Sequence, residues 1–404
     1  MDITTGPLHR LLTAAAVRER AHEMLDIGIA GALDGWTVDM DRLPDAAELT
    51  AFVTRERYPD LSIPFHARWR HFVAGEPALG DNLRDPAAVG RAAFDLVILS
   101  VLLDAGAGAD WRYRDSRSGM TLSRSEGLAV ASQRMFEGGA FAAGSSSPRA
   151  DGAALSRTGT EALAEGFQVD EGNPLVGLEG RAALLRRLGD RVLARPDLFA
   201  SADEPRPGGL FDVLAARAQG GRLPATAILE ALLDALGPIW ADRLVIEGVA
   251  LGDCWHHPAL RRSDSSDQLV PLHKLSQWLA YSLIEPLQQA GIEVVDIDGL
   301  TGLAEYRNGG LFIEAGVLRL ADPTAAEQPY HVSDPVIVAW RSMTVALLDR
   351  LAPMVRTLLG VRAEEFPLAC MLEGGTWAAG RRLAGERRSD GAPPLTIISD
   401  GTVF

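Results

Sequence analysis

The feature that most constrains this chain is a series of long segments in which apolar residues return every three or four positions. They run Arg10 to Ala32, Val89 to Leu103, Leu178 to Leu193, Ala225 to Trp240, Leu269 to Ala290 and Val336 to Leu359. That period places the apolar side chains on one stripe of an α-helix, and such stripes are stable only when packed against something else. Runs of β-branched residues, which favour strands, are scarce. Ile292 to Val295 and Leu395 to Ile398 are the short exceptions. The expected fold is mainly α, a large helical body with a few short strands.

A 404-residue chain that is 47% hydrophobic can bury a large core. The longest apolar stretch, Leu96 to Leu103, is broken by Ser100 and flanked by Asp95 and Asp104. It is too short to span a bilayer, so a buried helix is expected and no membrane partner. Met1-Asp2-Ile3-Thr4 lacks the basic and apolar regions of a secretory signal. The two cysteines, Cys254 and Cys370, lie far apart, so no disulfide framework is expected and the cytoplasm is the natural location. A net charge of −15 argues against a nucleic-acid partner, whose binding needs clustered cations. A small anionic substrate stays compatible with it, because a few inward-pointing Arg and Lys suffice for one phosphate.

No internal repeat is visible. The chain reads as a single catalytic unit over 1–404, with an N-terminal helical layer at 1–143, a connector at 144–152 and a catalytic part at 153–404. The connector is Gly144-Ser145-Ser146-Ser147-Pro148 through Gly152; a second Pro/Gly stretch covers Pro205 to Gly209.

Three segments in the last third carry candidate chemistry. In Leu269 to Pro286, His273, Gln277, Tyr281 and Glu285 follow at i+4 with Lys274 beside their start. That row drifts about 40° per step, giving a slanted polar stripe. It reads as a solvated face or, with Trp278 next to Tyr281, as a pocket wall. The second segment runs from Asp296 to Gly310. It follows a short strand with Asp298, then Thr301, Glu305, Tyr306 and Arg307, and ends on a Gly-Gly pair. The glycines let a ligand approach the main chain; the alternative is a helix cap by Asp298 or Thr301, with Glu305 solvated. The third segment holds Glu373 and Trp377, and Leu395 to Phe404 reads as a tail tucked against the body. Upstream, Tyr58 to His71 and Trp111 to Asp115 mix arginines with rings, which suits a phosphate or a stacked planar group as well as surface ion pairs.

No HExxH, GxSxG, GxxxxGK[ST] or GxGxxG pattern occurs. Carboxylate chemistry with no metal and no cofactor is therefore the expectation.

Several of these stretches together resemble one family. YPDL…FHARWRHF, LDAGAGADWRYRD, RSEGLA, NPLVGLEGRA, HKLSQWLAYSLIEPL, LTGLAEYRNGGLFIEAGVL and EGGTWAAGRRLA…PPLTIISDGTVF look like the uracil catabolism protein 4 family of fungi and bacteria. The resemblance runs nearly the whole chain and implies a role in degrading uracil through its ribonucleotide, with urea among the products. A shorter stretch is similar to the queuosine-phosphate N-glycosidase salvage family. Lys274 and Gln277 fall on its Lys-Arg-Ala-Gln motif, and Thr301, Tyr306 and Arg307 on its Leu-Thr-x-Phe-Ala-Asp-Tyr-Arg stretch. Glu305 stands where that motif has aspartate, and Leu275 and Ser276 depart from Arg-Ala. This second resemblance implies a helix-hairpin-helix glycosylase-like C-terminal part.

The two resemblances converge on hydrolysis of the N-ribosidic bond in a phosphorylated ribosylurea-type substrate, releasing urea. Its oxocarbenium-like transition state calls for a stabilising carboxylate and a second acid or base. Asp298 and Glu305 are the expected acids, Lys274 and Arg307 the contacts to phosphate or leaving group, and Glu285 a further catalytic candidate. His273, Gln277, Tyr281, Thr301, Tyr306, Glu373 and Trp377 are expected around the substrate. The alternatives are a ureide C–N amidohydrolase of the same pathway and a non-catalytic pathway partner.

Overall fold

Each of the six periodic segments contains a helix. The computed structural model describes residues 6–79, 85–144, 148–200 and 205–398. Ala14–Ile29 begins at Thr13, whose hydroxyl accepts the Ala16 amide at 3.2 Å. Pro86–Leu102 begins at Asp85, which accepts Ala87 N at 3.1 Å, with proline in the first turn where its missing N–H costs nothing. Leu178–Ala194 and Ala225–Leu236 follow, and Pro335–Leu359 ends on Gly360 in the left-handed region. The fold is mainly α, and among the described residues every sheet has two strands.

One helix boundary departs from the periodic reading. Leu269–Pro271 is a strand, antiparallel to Cys254–His256, and the helix starts only at Lys274. Pro271 and His273, whose φ is 47°, separate the two elements. The apolar repeat of Leu269 and Leu272 is thus burial on a strand and a turn rather than one helical stripe. Helices at Leu43–Arg57, Arg124–Glu137, Tyr306–Glu314 and Trp377–Arg387 lie outside the six segments. Both expected strands form, as Glu293–Val295 and Thr396–Ile398. Residues 399–404, which complete the expected tucked tail, and 145–147 of the connector lie outside the described residues.

The chain divides into two interleaved units. The described residues of the first are 6–66, 243–277 and 296–398. Here the Pro335–Leu359 helix packs on Ala14–Ile29 and Leu43–Arg57, and Tyr306–Glu314 packs on Trp377–Arg387. Trp36–Val38 pairs antiparallel with Leu318–Leu320, and Pro329–His331 runs parallel to Thr396–Ile398.

The second unit takes the described residues of 67–242 and 278–295. Pro86–Leu102 packs there on Arg124–Glu137 and Gly209–Arg217. Its core encloses a fully buried Arg68, which donates to Ser100 Oγ at 2.7 Å and pairs with Asp104 at 2.9 Å. The Lys274–Gln289 helix gives its first turn to one unit and the remainder to the other. Pro286 inside that helix has no N–H for the Ser282 carbonyl. Trp69 Nε1 fills the gap, donating to Ser282 O at 2.8 Å. Among the described residues no helix is long and apolar enough to cross a membrane.

Candidate functional site

The first turn of the Lys274–Gln289 helix is held in place by Asp253, at the edge of the Cys254–His256 strand. The Asp253 backbone carbonyl accepts the amides of Leu272 (2.9 Å) and His273 (3.1 Å), and its Oδ2 accepts Lys274 N at 2.9 Å. Trp255 Nε1 donates to Oδ1 at 2.7 Å. Arg341, buried on the Pro335–Leu359 helix, completes the set with two bonds of 2.9 Å and a third, of 3.3 Å, to the Ala304 carbonyl. Burial alone would favour the protonated acid, but Arg341 and these donors hold Asp253 well below the usual carboxylate range. One buried ion pair thus fixes both the turn that presents Lys274 and the backbone just before Glu305.

Gln277 joins the same two segments a second time. Its Nε2 donates to Thr301 Oγ1 at 2.7 Å, and its Oε1 accepts Thr301 N at 3.2 Å. Both residues are buried. The His-Lys-Leu-Ser-Gln stretch and the Leu-Thr-Gly-Leu-Ala-Glu stretch therefore meet side by side.

Glu305 is the N-cap of the Tyr306–Glu314 helix. Its Oε2 accepts Arg307 N at 2.8 Å and its Oε1 accepts Asn308 N at 2.5 Å. Glutamate is an uncommon cap, because Ser, Thr, Asp and Asn reach the amides with fewer rotors. At 8% exposure the group is nearly enclosed. Burial pushes its carboxyl above the ordinary glutamate value, against the pull of the two amides and of the Lys274 charge. A nearly enclosed carboxyl, held by two amides and raised in pKa by burial, thus sits near Lys274 and His66.

His66 is paired with Glu373. Its Nδ1 lies 2.8 Å from Glu373 Oε2, and both residues are buried. A neutral imidazole that donates Nδ1–H to a carboxylate carries its lone pair on Nε2, the tautomer suited to accept a proton. Tyr58 Oη (3.3 Å) and Arg57 Nη2 (3.4 Å) donate to the other oxygen of Glu373. Glu373 belongs to a π-helical turn, Leu372–Thr376, between two α-helical stretches. Such turns are rare and recur at functional sites. The turn rests against the Leu43–Arg57 helix where a Cβ on Gly375 would come within 2.5 Å of Thr50 and Thr54. Arg57 Nη1 donates to the Glu373 carbonyl.

A family profile described as "Protein of unknown function (DUF1688)" matches residues 10–404. The chain belongs to this family. Among its relatives, Protein urg3 of Schizosaccharomyces pombe (strain 972 / ATCC 24843) is 38% identical over 420 residues, covering 100% of both chains. Uracil catabolism protein 4 of Lachancea kluyveri is 34% identical over 440 residues, covering 99% of both. The resemblance drawn from the motifs is therefore a full-length one.

In this DUF1688 chain the residues singled out by motif fall into distinct settings. Lys274, Gln277, Thr301, Glu305 and Glu373 belong to the arrangement just described. Asp298 is committed elsewhere: Oδ2 accepts from Arg356 at 2.5 Å and Oδ1 from Leu368 N at 2.7 Å. Arg18 holds the carbonyls of Asp298, Gly299 and Leu300. His273 is buried, its Nε2 donating to the Leu11 carbonyl at 2.8 Å, and burial lowers its pKa. Arg307 lies over the Tyr306 ring at 4.9 Å and donates Nη1 to Gly391 O at 2.9 Å. Trp377 lies under Arg381 at 5.4 Å. In the second unit, Tyr281 is fully buried and Glu285 is gripped through both oxygens by Arg70. Burial raises the Glu285 pKa against that pull.

The Gly309-Gly310 pair, expected to admit a ligand, serves packing at its first member. A Cβ on Gly309 would stand 2.7 Å from the Trp340 ring, whose Nε1 donates to the Gly309 carbonyl at 3.1 Å. Sequence reasoning passed over Asp253 and Arg341 and met His66 only inside an Arg-aromatic cluster. No local spacing marks residues whose partners lie 88 and 307 positions away. Among the described residues no three His, Cys, Asp or Glu side chains converge as metal donors.

Proposed function

We propose that the chain is a uracil-catabolism enzyme that hydrolyses the N-ribosidic bond of a phosphorylated ribosylurea-type substrate. The full-length relative named Uracil catabolism protein 4 supports the pathway. The observation that carries the chemistry is the buried Glu305, locked by two amides and placed near Lys274 and His66.

In this reading Glu305, whose pKa burial raises, is the acid that delivers a proton to the departing urea nitrogen as the C1′–N bond breaks. Water adds to C1′, and its proton passes to His66, which Glu373 holds in the receptive tautomer. Ribosylurea phosphate and water thus become ribose phosphate and urea, with no change of oxidation state. Lys274 contacts the phosphate or the sugar oxygens. Asp298, occupied by Arg356 and an amide, positions the loop before Glu305, and Gln277, Thr301, Tyr306 and Arg307 shape the enclosure.

The direct test is to incubate purified protein with synthetic ribosylurea 5-phosphate and follow urea and ribose 5-phosphate by mass spectrometry. Equimolar release of both, lost in Glu305→Gln, is the expected result. Absence of turnover by well-folded protein overturns the reading.

A further inference from the structure

A cavity in the first unit is lined by none of the residues of the Glu305 arrangement. Its volume is about 320 Å³, and its walls include Arg10, Leu11, Glu19, Arg20, Arg262 and Ser266. The hairpin that pairs Cys254–His256 with Leu269–Pro271 supplies Arg262 and Ser266 from its loop, while the Ala14–Ile29 helix supplies Glu19 and Arg20.

Arg20 is the informative member. It is only 5% exposed, its Nη2 donates to Ser266 Oγ at 3.1 Å, and its Nη1 has no hydrogen-bond partner among the described residues. A buried guanidinium N–H left without an acceptor is destabilising, so its retention beside a cavity calls for an explanation. The carboxylates nearby do not supply one. Glu23 and Glu19 accept from Arg262, and Asp264 accepts the amide and hydroxyl of Ser266 at 2.8 and 2.5 Å. Asp264 also lies 3.9 Å from Arg10, whose side chain is 70% exposed. Donor capacity is therefore left over on Arg20 and Arg10, and the acids already have donors. The Arg262 charge and burial both weaken the hold of Arg20 on its proton, burial being the larger effect. An added anion offsets the Arg262 charge.

We propose that this cavity is a binding site for a small phosphorylated molecule. Its oxyanion is held by the guanidinium groups of Arg20 and Arg10, and its remainder lies along Leu11 and Ala16. The volume falls at the lower end of the range for small-molecule sites, larger than a bare ion requires. The site shares no residue with the Glu305 arrangement and stands whether or not that arrangement cleaves ribosylurea.

Inorganic phosphate is the probe, titrated by calorimetry against the full chain at constant ionic strength set with chloride. Binding in the Lys274→Ala protein isolates this cavity from any phosphate contact made by Lys274. The expected result is saturable binding in Lys274→Ala, weakened at least tenfold by adding Arg10→Ala and abolished by adding Arg20→Met. Arg10 is exposed, so its variant reports even if the Arg20 variant fails to fold. No saturable binding in Lys274→Ala, or binding unchanged by Arg10→Ala, overturns the proposal.

Discussion

Arg341 and Asp253 meet as a parallel two-pronged ion pair, Nη1 to Oδ1 and Nη2 to Oδ2, each at 2.9 Å, across 88 residues of sequence. The pair ties the longest helix of the protein to the turn that presents Lys274. Replacing one partner leaves the other charged and buried, which costs about 3–5 kcal/mol where no water can enter. Arg341→Met is therefore expected to lose about that much stability in urea unfolding. A loss under 1 kcal/mol would mean that the surroundings relax around Asp253.

The same pair sets the behaviour of the protein in acid. Asp253 ionises well below the ordinary aspartate value, so its contribution to stability is fully present above about pH 3.9 and is lost as pH falls towards its folded pKa. Stability of the wild type is expected to exceed that of Asp253→Asn at pH 7 and to converge on it as the medium is acidified. Equal gaps at pH 7 and pH 2 would contradict the assignment.

Glu305→Gln is expected to slow urea release by about 10²–10⁴-fold, the usual worth of a general acid. Glu305→Asp keeps a good helix cap but draws the acid back by one methylene, so it should melt at or above the wild-type temperature while losing much of the rate. Thermal melts beside single-turnover rates separate the two effects. A fast Glu305→Gln enzyme would move the proton donor elsewhere.

A buried Glu305 whose pKa is raised keeps its proton above the ordinary glutamate value of about 4.3. If it donates that proton, the rate falls as pH rises through its pKa, and this alkaline limb disappears in Glu305→Gln. A rate that instead climbs as Glu305 ionises assigns it the role of base.

His66→Asn is expected to lower the rate by about 10²–10⁴-fold with little change in circular dichroism. Glu373→Gln keeps an acceptor oxygen but lets the amide turn, so a smaller loss is expected, about ten- to hundredfold. If both variants act at wild-type rate, the pair is part of the scaffold only.

The helices that sequence periodicity revealed are those whose buried face is lined by Leu, Val and Ile. Leu43–Arg57 escaped because its buried face, apart from Leu43 and Val53, is Ala46, Ala47, Thr50, Ala51 and Thr54, too small and too polar to stand out from the opposite face. Those small residues admit the π turn that carries Glu373. The Gln277–Thr301 contact was legible through two short motifs that proved to be neighbours. The Glu305 cap is harder to foresee, since the alternative reading of that segment gives the cap to Asp298 or Thr301 and leaves Glu305 solvated. His66, Asp253 and Arg341 take their roles only from partners brought in by folding, and the notion of a polar stripe ending in Glu285 fails to register Arg70, which takes up that acid.

The π turn at Leu372–Thr376 also says something about how this chain tolerates change in length. A π turn is an α-helix holding one residue more than its hydrogen-bond ladder needs. Removing Gly374 would let the ladder close as an uninterrupted α-helix, at little cost to the helix itself. The helices on either side could keep their packing, because the turn alone had absorbed the extra residue. Glu373 would leave His66, and the protein would keep its fold while its histidine lost its anchor. A deletion of one glycine is in that sense a cleaner switch than any substitution.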